Sequence, residues 1–391
     1  WEPVILTVEN GEYPAIDPSL IQEIPDNIQV YKTKAFQPFQ LYRMLTGKKG
    51  NTHNNANVFG QKDTTFVERL AKWIRLNLFI PDARIGWYAY AVKAAKKIIE
   101  QEHIDLIYSS SPPHSLQLIA QKIAKQNKIK WVADFRDPWS ELVHYQSYKR
   151  TWLTRKIDSH FEKSVFRSAD RLVAAANDYA TCIKTHVDRK IEVIYNGYDP
   201  SDFPKPKSRN TEDFLITYTG ELSEDRIPHA LLRALSRLED SNIKLQFIGN
   251  TCPELKQEIQ QLNLGNKVIL KPYMPHIASI AELQQSDLLL LVINQVANGK
   301  GIVPGKIFEY LGTRKPILCL GDPTGEAGEI IKTTNSGFCI AHHNEEEIFI
   351  LLSRLSSGVL PGLSFQTEQF ERKNETGQLC DIFNTLVNKP S

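Results

Sequence analysis

Residues 299–321 read GKGIVPGKIFEYLGTRKPILCLG, and their order decides the fold. A loop of small residues leads into a short helix opening at Pro304-Gly305, and the apolar run 316–320 follows as a buried strand. In α/β proteins this unit holds an anionic ligand at a helix N-terminus, where unpaired N–H groups and the macrodipole favour negative charge. Lys306 puts a cation in the first turn, where a bare helix prefers acids, so its charge suits a phosphate bound opposite it. Glu309 follows one turn later, either on the wet face of an amphipathic helix or turned toward a ligand.

Outward from this stretch, strand candidates alternate with helical patterns along the whole chain. They fall at 1–8, 27–31, 104–108, 130–135, 172–175 and 191–195, and again at 215–219, 245–249, 268–270 and 287–293. That alternation is the doubly wound α/β pattern. The proline-rich, charged run 200–211 marks a domain boundary, and 46–65, rich in Gly, Asn, Lys and Thr, reads as a flexible loop. Helical spacing covers 66–87 and 365–388.

A chain of 391 residues exceeds one typical core and implies two domains, and its 41% hydrophobic and 24% charged residues place it among globular proteins. A net charge of +2 argues against nucleic acid as a partner. The five cysteines are scattered and never form a C-x-x-C pair, so they suggest neither a disulfide framework nor a zinc site, and a reducing cytoplasm fits them best. The longest apolar run, 288–293, is far shorter than the roughly 20 residues that span a bilayer.

Several strand ends carry chemistry. Ser109-Ser110-Ser111-Pro112-Pro113-His114 joins a strand to a helix at 115–126, either as an anion-friendly pocket with Ser111 and a basic or ligand-contacting His114, or as serine capping with a structural histidine. Asp134-Phe135-Arg136-Asp137 closes the next strand; it offers a ligand hydroxyl a general base in Asp137, or it is a self-satisfied ion pair. After the strand at 215–219, Gly220 allows close backbone approach and Arg226 brings a permanent charge to a diphosphate. His342-His343 with Glu345, Glu346 and Glu347 reads as a helix start capped by Asn344 rather than as a metal site. The aromatic and basic residues of 66–87, and the basic run 149–171, read as core and solvated faces or as a surface resting on anionic lipid.

Lys306-Ile307-Phe308-Glu309-Tyr310-Leu311, followed by Lys315-Pro316-Ile317-Leu318, resembles the donor-site motif of GT-B glycosyltransferases, specifically the bacterial family 4-like group. The segments 75–82, 134–139 and 193–199 resemble family segments in the expected order. The resemblance implies two Rossmann-like domains facing a cleft: 1–203 binding the acceptor, 204–368 binding the nucleotide-sugar, and a helix at 369–391 crossing back to the first domain. It also implies an initial strand and glycine-rich loop before residue 1. The donor site would comprise Gly220, Arg226, Pro304, Gly305, Lys306 and a ribose-binding Glu309. Ser111, Asp134, Arg136 and Asp137 would meet the acceptor, and Asp137, His114, Arg226 and Lys306 would carry catalysis without a metal or cofactor. Expected partners are a nucleotide-sugar and a glycan or lipid-linked acceptor, with work at the inner face of a membrane. A nucleotide-sugar 2-epimerase or a non-catalytic sugar-nucleotide binder shares the fold. Two positions depart from the family: Leu231 stands where a lysine is usual, and Gly301 where retaining members carry a sugar-contacting glutamate.

Overall fold

The computed structural model describes residues 1–11, 21, 24–36, 66–140, 150–203, 212–238, 241–296, 299–358 and 362–387. The loop expected at 46–65 lies outside them, as do most of the boundary run and Lys149 of the basic run. The chain divides into two compact units, Trp1–Ala175 with Tyr179–Val193 and Leu379–Ser391, and Ala176–Asp178 with Ile194–Gln378.

In the first unit β1 (Val4–Val8) and β2 (Gln29–Thr33) form a parallel pair with Val4 opposite Gln29. A parallel four-stranded sheet follows the chain order β3 (Leu106–Ser111), β4 (Lys130–Phe135), β5 (Arg171–Ala174), β6 (Glu192–Val193). Helices α1 (Phe66–Leu78), α2 (Tyr88–Glu102), α3 (Ser115–Asn127) and α4 (Trp152–Ser168) lie between the strands, and α5 (Asn177–Lys184) begins in the second unit. The helical pattern of 66–87 is interrupted: α1 ends at Leu78, and a 3-10 turn covers Ala83–Trp87. Pro81 explains the break, since it lacks an N–H and turns the preceding residue away from helical geometry. Trp131 through Phe135 of β4 are all buried, as expected of a parallel strand covered on both faces.

The second unit is a six-stranded parallel sheet of β7 (Phe214–Thr219), β8 (Ile243–Ile248), β9 (Val268–Lys271), β10 (Leu288–Val292), β11 (Ile317–Leu320) and β12 (Gly337–Ile340), in the order β12-β11-β10-β7-β8-β9. Helices α6 (His229–Ser236), α7 (Pro253–Gln261), α8 (His276–Gln285), α9 (Lys306–Thr313), α10 (Glu326–Thr333) and α11 (Glu345–Ser356) connect and cover it. Alternate residues of β10 feed opposite cores: Leu288 and Leu290 pack with Leu245 and Phe247, whereas Leu289 and Leu291 pack with Phe308 and Ile317. Each such fully buried leucine contributes about 1.5–3 kcal/mol. The final helix, α12 (Arg372–Val387), starts in the second unit, and its residues from Leu379 onward belong to the first. There Phe383 stacks edge-on with Trp1 at 5.3 Å, and the Trp1 indole donates to Asn384 at 3.0 Å.

Strand order reverses between β7 and β10, and open α/β sheets bind ligands at the carboxyl ends of the strands at such a switch. Two glycines shape that edge. Gly220 follows β7 with φ +107°, and Gly249 follows β8 with φ +128°. A Cβ on Gly249 would lie 2.5 Å from the Gly220 carbonyl oxygen. Gly249→Ala is therefore expected to cost at least about 2 kcal/mol through backbone strain and displacement of Gly220. Urea unfolding midpoints check this, and an unchanged midpoint would show that the edge relaxes freely.

Candidate active site

In the second unit, α9 starts with an uncapped N-terminus. Its N-cap Gly305 makes no side-chain bond, and open space lies where a Cβ would sit. Lys306 reaches from this first turn to the end of β7, donating to the Thr219 carbonyl at 2.6 Å and lying 3.9 Å above the centre of the Tyr218 ring. A Cβ on Gly220 would stand 3.1 Å from its Nζ, so the glycine makes room for the ammonium. Arg226, on the 3-10 turn after β7, donates through Nε to Asn294 Oδ1 at 3.0 Å and through Nη1 to the Glu221 carbonyl at 3.4 Å. Asn294 follows β10, so Arg226 is anchored across the switch, and Asn294 in turn donates to Asp225 at 2.5 Å.

Among the described residues neither Arg226 nor Lys306 has a carboxylate partner. Burial pushes the Lys306 pKa down to about 7, the nearby Arg226 charge pushes the same way, and Glu309 opposes them. Two cations, hydrogen-bonded to neutral acceptors beside an uncapped helix N-terminus, form an arrangement that can meet an anion. Leu231, where the family carries a lysine, is packed in the core at 1% exposure, which leaves Lys306 as the second cation.

Glu309 is half-exposed and accepts from His276 Nε2 at 3.3 Å. It shares with His276, Gly305 and Arg372 a cavity of about 270 Å³ that also reaches residues 196–198, 202 and 203 of this unit. His276 has no motif to announce it; only its place at the start of α8 hinted at a role.

In the first unit the expected anion pocket at 109–115 is filled from within, which corrects the pocket reading. Asp82 takes the N-terminus of α3, accepting from the Ser115 N–H at 2.8 Å and its hydroxyl at 2.9 Å. Burial raises its pKa although the Ser115 and Arg84 bonds favour the charge. Serine capping is not what caps this helix either, because the N-cap residue is His114 and makes no side-chain bond. The three serines are committed to the sheet. Ser109 bonds Gln117 at 2.6 Å and receives the Trp131 indole at 2.8 Å, Ser110 donates to Asp134 at 2.9 Å, and Ser111 accepts from Gln117 at 2.9 Å.

Asp134 is fully buried, with both oxygens engaged by the Arg136 guanidinium at 2.5–3.0 Å and one also by Tyr108 at 2.5 Å. The pair is self-satisfied, so Asp134 orients Arg136. Asp137, by contrast, is exposed beyond the end of β4. His114 is 2% exposed and stacked on Trp139 with ring centres 4.9 Å apart, and among the described residues neither ring nitrogen has a partner of full hydrogen-bond geometry, the Pro138 carbonyl being a weak neighbour. Burial lowers its pKa to about 4, against a smaller opposing effect of the Pro138 carbonyl.

Asn77, in the 75–82 segment that carried no role from sequence, accepts from the Thr151 N–H at 2.8 Å and the Thr154 hydroxyl at 3.0 Å and so ties α1 to α4. Asn344 caps α11 through the Glu347 N–H at 3.3 Å, while Glu345 and Glu346 pair with Arg233 and Arg237. Among the described residues no group of three His, Cys, Asp or Glu side chains is placed to hold a metal ion, and no helix is long and apolar enough to cross a membrane.

Fold and site together define a two-unit α/β protein with two cations beside an uncapped helix terminus at the switch point of its second sheet. Residues 57–202 match the model of Glycosyltransferase Family 4, and residues 200–357 match that of Glycosyl transferases group 1. The chain belongs to the family 4-like, GT-B glycosyltransferases. Similar solved structures include HepE of Anabaena in complex with UDP (16% identity, 76% of this chain and 82% of that one, TM-score 0.60). A glycosyltransferase of Rickettsia africae shares 14% identity over 100% of this chain and 91% of its own, with TM-score 0.61. A protein of Listeria monocytogenes described as a putative UDP-N-acetylglucosamine 2-epimerase shares 10% over 98% and 96%, with TM-score 0.54. At these identities the likeness establishes the fold. No curated protein sequence matches the chain.

The buried His114 sets an acid limit on stability. Its folded value of about 4 lies below the ordinary value of about 6.5, so the unfolded chain binds a proton that the folded one excludes. The stability it permits is complete above pH 6.5 and is lost as pH falls toward 4. Relative to wild type, His114→Phe is expected to gain stability between pH 7 and pH 5 in urea unfolding; parallel pH profiles would contradict this.

Proposed function

We propose that the second unit binds a nucleoside-diphosphate sugar and that the chain transfers its sugar to a hydroxyl of a glycan or lipid-linked acceptor. The observation that carries this reading is the pair of cations, Arg226 and Lys306, which among the described residues meet with no carboxylate hydrogen-bonded to either, beside the uncapped N-terminus of α9. A nucleoside diphosphate is a good leaving group once its charge is met, so these groups stabilise the departing phosphate without a metal ion. Glu309, steadied by His276, binds the ribose hydroxyls at the cavity that begins at Gly305. Because HepE was solved with UDP, UDP is the first nucleotide to test.

On the acceptor side Asp137 is the group we assign to orient or deprotonate the attacking hydroxyl, with Arg136 beside it held by Asp134. His114 is neutral and sealed against Trp139, so it serves the acceptor wall rather than proton transfer. The exposed Trp73, Leu78, Trp152 and Leu153 of the first unit, among basic residues, support contact with a membrane carrying a lipid-linked acceptor, in cell-surface polysaccharide or glycolipid synthesis on the cytoplasmic side. The 2-epimerase reading, which the Listeria likeness keeps in view, predicts conversion of the donor with no acceptor present.

A thermal-shift panel of UDP, GDP, ADP, dTDP and CDP tests the donor site. One nucleotide at 100 times its Kd is expected to stabilise the wild type by about 2.7 kcal/mol. Glu309→Ala is expected to weaken that binding at least tenfold, as loss of a charged hydrogen bond does. No shift with any of the five would overturn the reading.

A further inference from the structure

We infer that Asp178 is the carboxylate that positions the transferred sugar, standing where a side chain at position 301 would otherwise be. The inference rests on the donor-site reading above and deepens it. Gly301 lies eight residues before Glu309, and the resemblance implies a carboxylate there that the chain lacks. The structure supplies one from elsewhere in the sequence: a Cβ built on Gly301 would collide with the Asp178 carboxylate, so that group occupies the space of the missing side chain. Both residues belong to the second unit.

Asp178 is held by a closed set of hydrogen bonds that does not use its own carboxylate. Its N–H donates to Glu326 Oε2 at 3.1 Å, and the Asn177 N–H donates to Oε1 at 2.5 Å. Tyr195 donates to the same Oε1 at 2.6 Å, and the Asn177 amide donates to the Tyr195 oxygen at 2.5 Å. Glu326 is therefore spent on the backbone. Asp322, the other acid of the neighbouring loop, is also engaged, by Lys300 at 3.1 Å and by the Thr324 hydroxyl at 2.7 Å. The Asp178 carboxylate is exposed and, among the described residues, has no hydrogen-bond or ion-pair partner.

Location and chemistry agree. Gly301 lies four residues before Gly305, so at most about 14 Å of chain separates it from the helix terminus that binds the diphosphate. That figure is an upper limit set by the chain, and it places Gly301 in the neighbourhood of a ligand group projecting from that terminus. A fixed carboxylate with free lone pairs selects a ligand rich in hydroxyl donors, and a charged acceptor holds such donors more strongly than a neutral one.

The test compares UDP with UDP-glucose, UDP-galactose and UDP-N-acetylglucosamine by isothermal titration, on wild type, Asp178→Asn and the double variant Asp178→Gly/Gly301→Glu. Asp178→Asn keeps the shape and is expected to leave the UDP Kd within twofold while weakening the preferred UDP-sugar at least tenfold relative to UDP. The double variant, which restores a carboxylate from position 301, is expected to recover part of that ratio. An unchanged ratio in Asp178→Asn, or an equal loss for UDP and UDP-sugar, would overturn the assignment and leave the donor site standing. If the panel above selects another nucleotide, the same comparison uses that diphosphate and its sugars; a wild type that binds none of these ligands and none of the five diphosphates would overturn the donor site and this assignment together.

Discussion

The Lys306 ammonium, packed against the Tyr218 ring and hydrogen-bonded to the Thr219 carbonyl, constrains everything around it. A charge so placed loses water without gaining an anion, and Arg226 nearby adds repulsion, so the bare site stores an unfavourable arrangement that a bound diphosphate would relieve. The surrounding fold keeps it there. Tyr310, one turn further along α9, accepts from the Thr219 N–H at 3.1 Å and donates to the Leu290 carbonyl at 3.3 Å, tying the helix to both strands of the switch. Gly220, at φ +107°, takes a backbone conformation that side chains disfavour and leaves the ammonium its room, and Gly249 must lack a side chain for Gly220 to keep its place.

The first unit uses its polar groups differently. Gln117, fully buried, bonds Ser109, Ser111 and the Asp134 carbonyl and so welds α3 to the ends of β3 and β4. Asp82 closes the start of the same helix and Asn77 joins α1 to α4. Those groups are satisfied internally, and Asp137 lies exposed just beyond the end of β4.

The sequence made the strands of both sheets legible where apolar runs were unbroken, as in β4, β7 and β10. Arg226, Lys306 and Glu309 could be singled out because their places just after a strand or inside a helix start carry a physical meaning by themselves, and the structure places Arg226 and Lys306 near each other. β12 gave little signal, being four residues that begin with glycine and lie half-exposed. The Asp82 cap was invisible for a different reason: it lies 33 residues from Ser115, and only the tertiary fold joins them. The serine run misled because hydroxyls after a strand look the same whether they face a ligand or a buried glutamine. Asp178 is the sharpest case, since nothing local relates it to Gly301.

The central claim is that a donor diphosphate completes the Lys306 site, and its most direct test is proton uptake on binding. Titrating UDP into the protein at pH 8 in two buffers of different ionisation enthalpy measures the protons taken up with the ligand. With Lys306 near pKa 7 when the site is bare and fully charged beside a phosphate, uptake should approach one proton at pH 8 and vanish in Lys306→Arg, which is always charged. Binding of UDP with no proton uptake in the wild type would contradict the account.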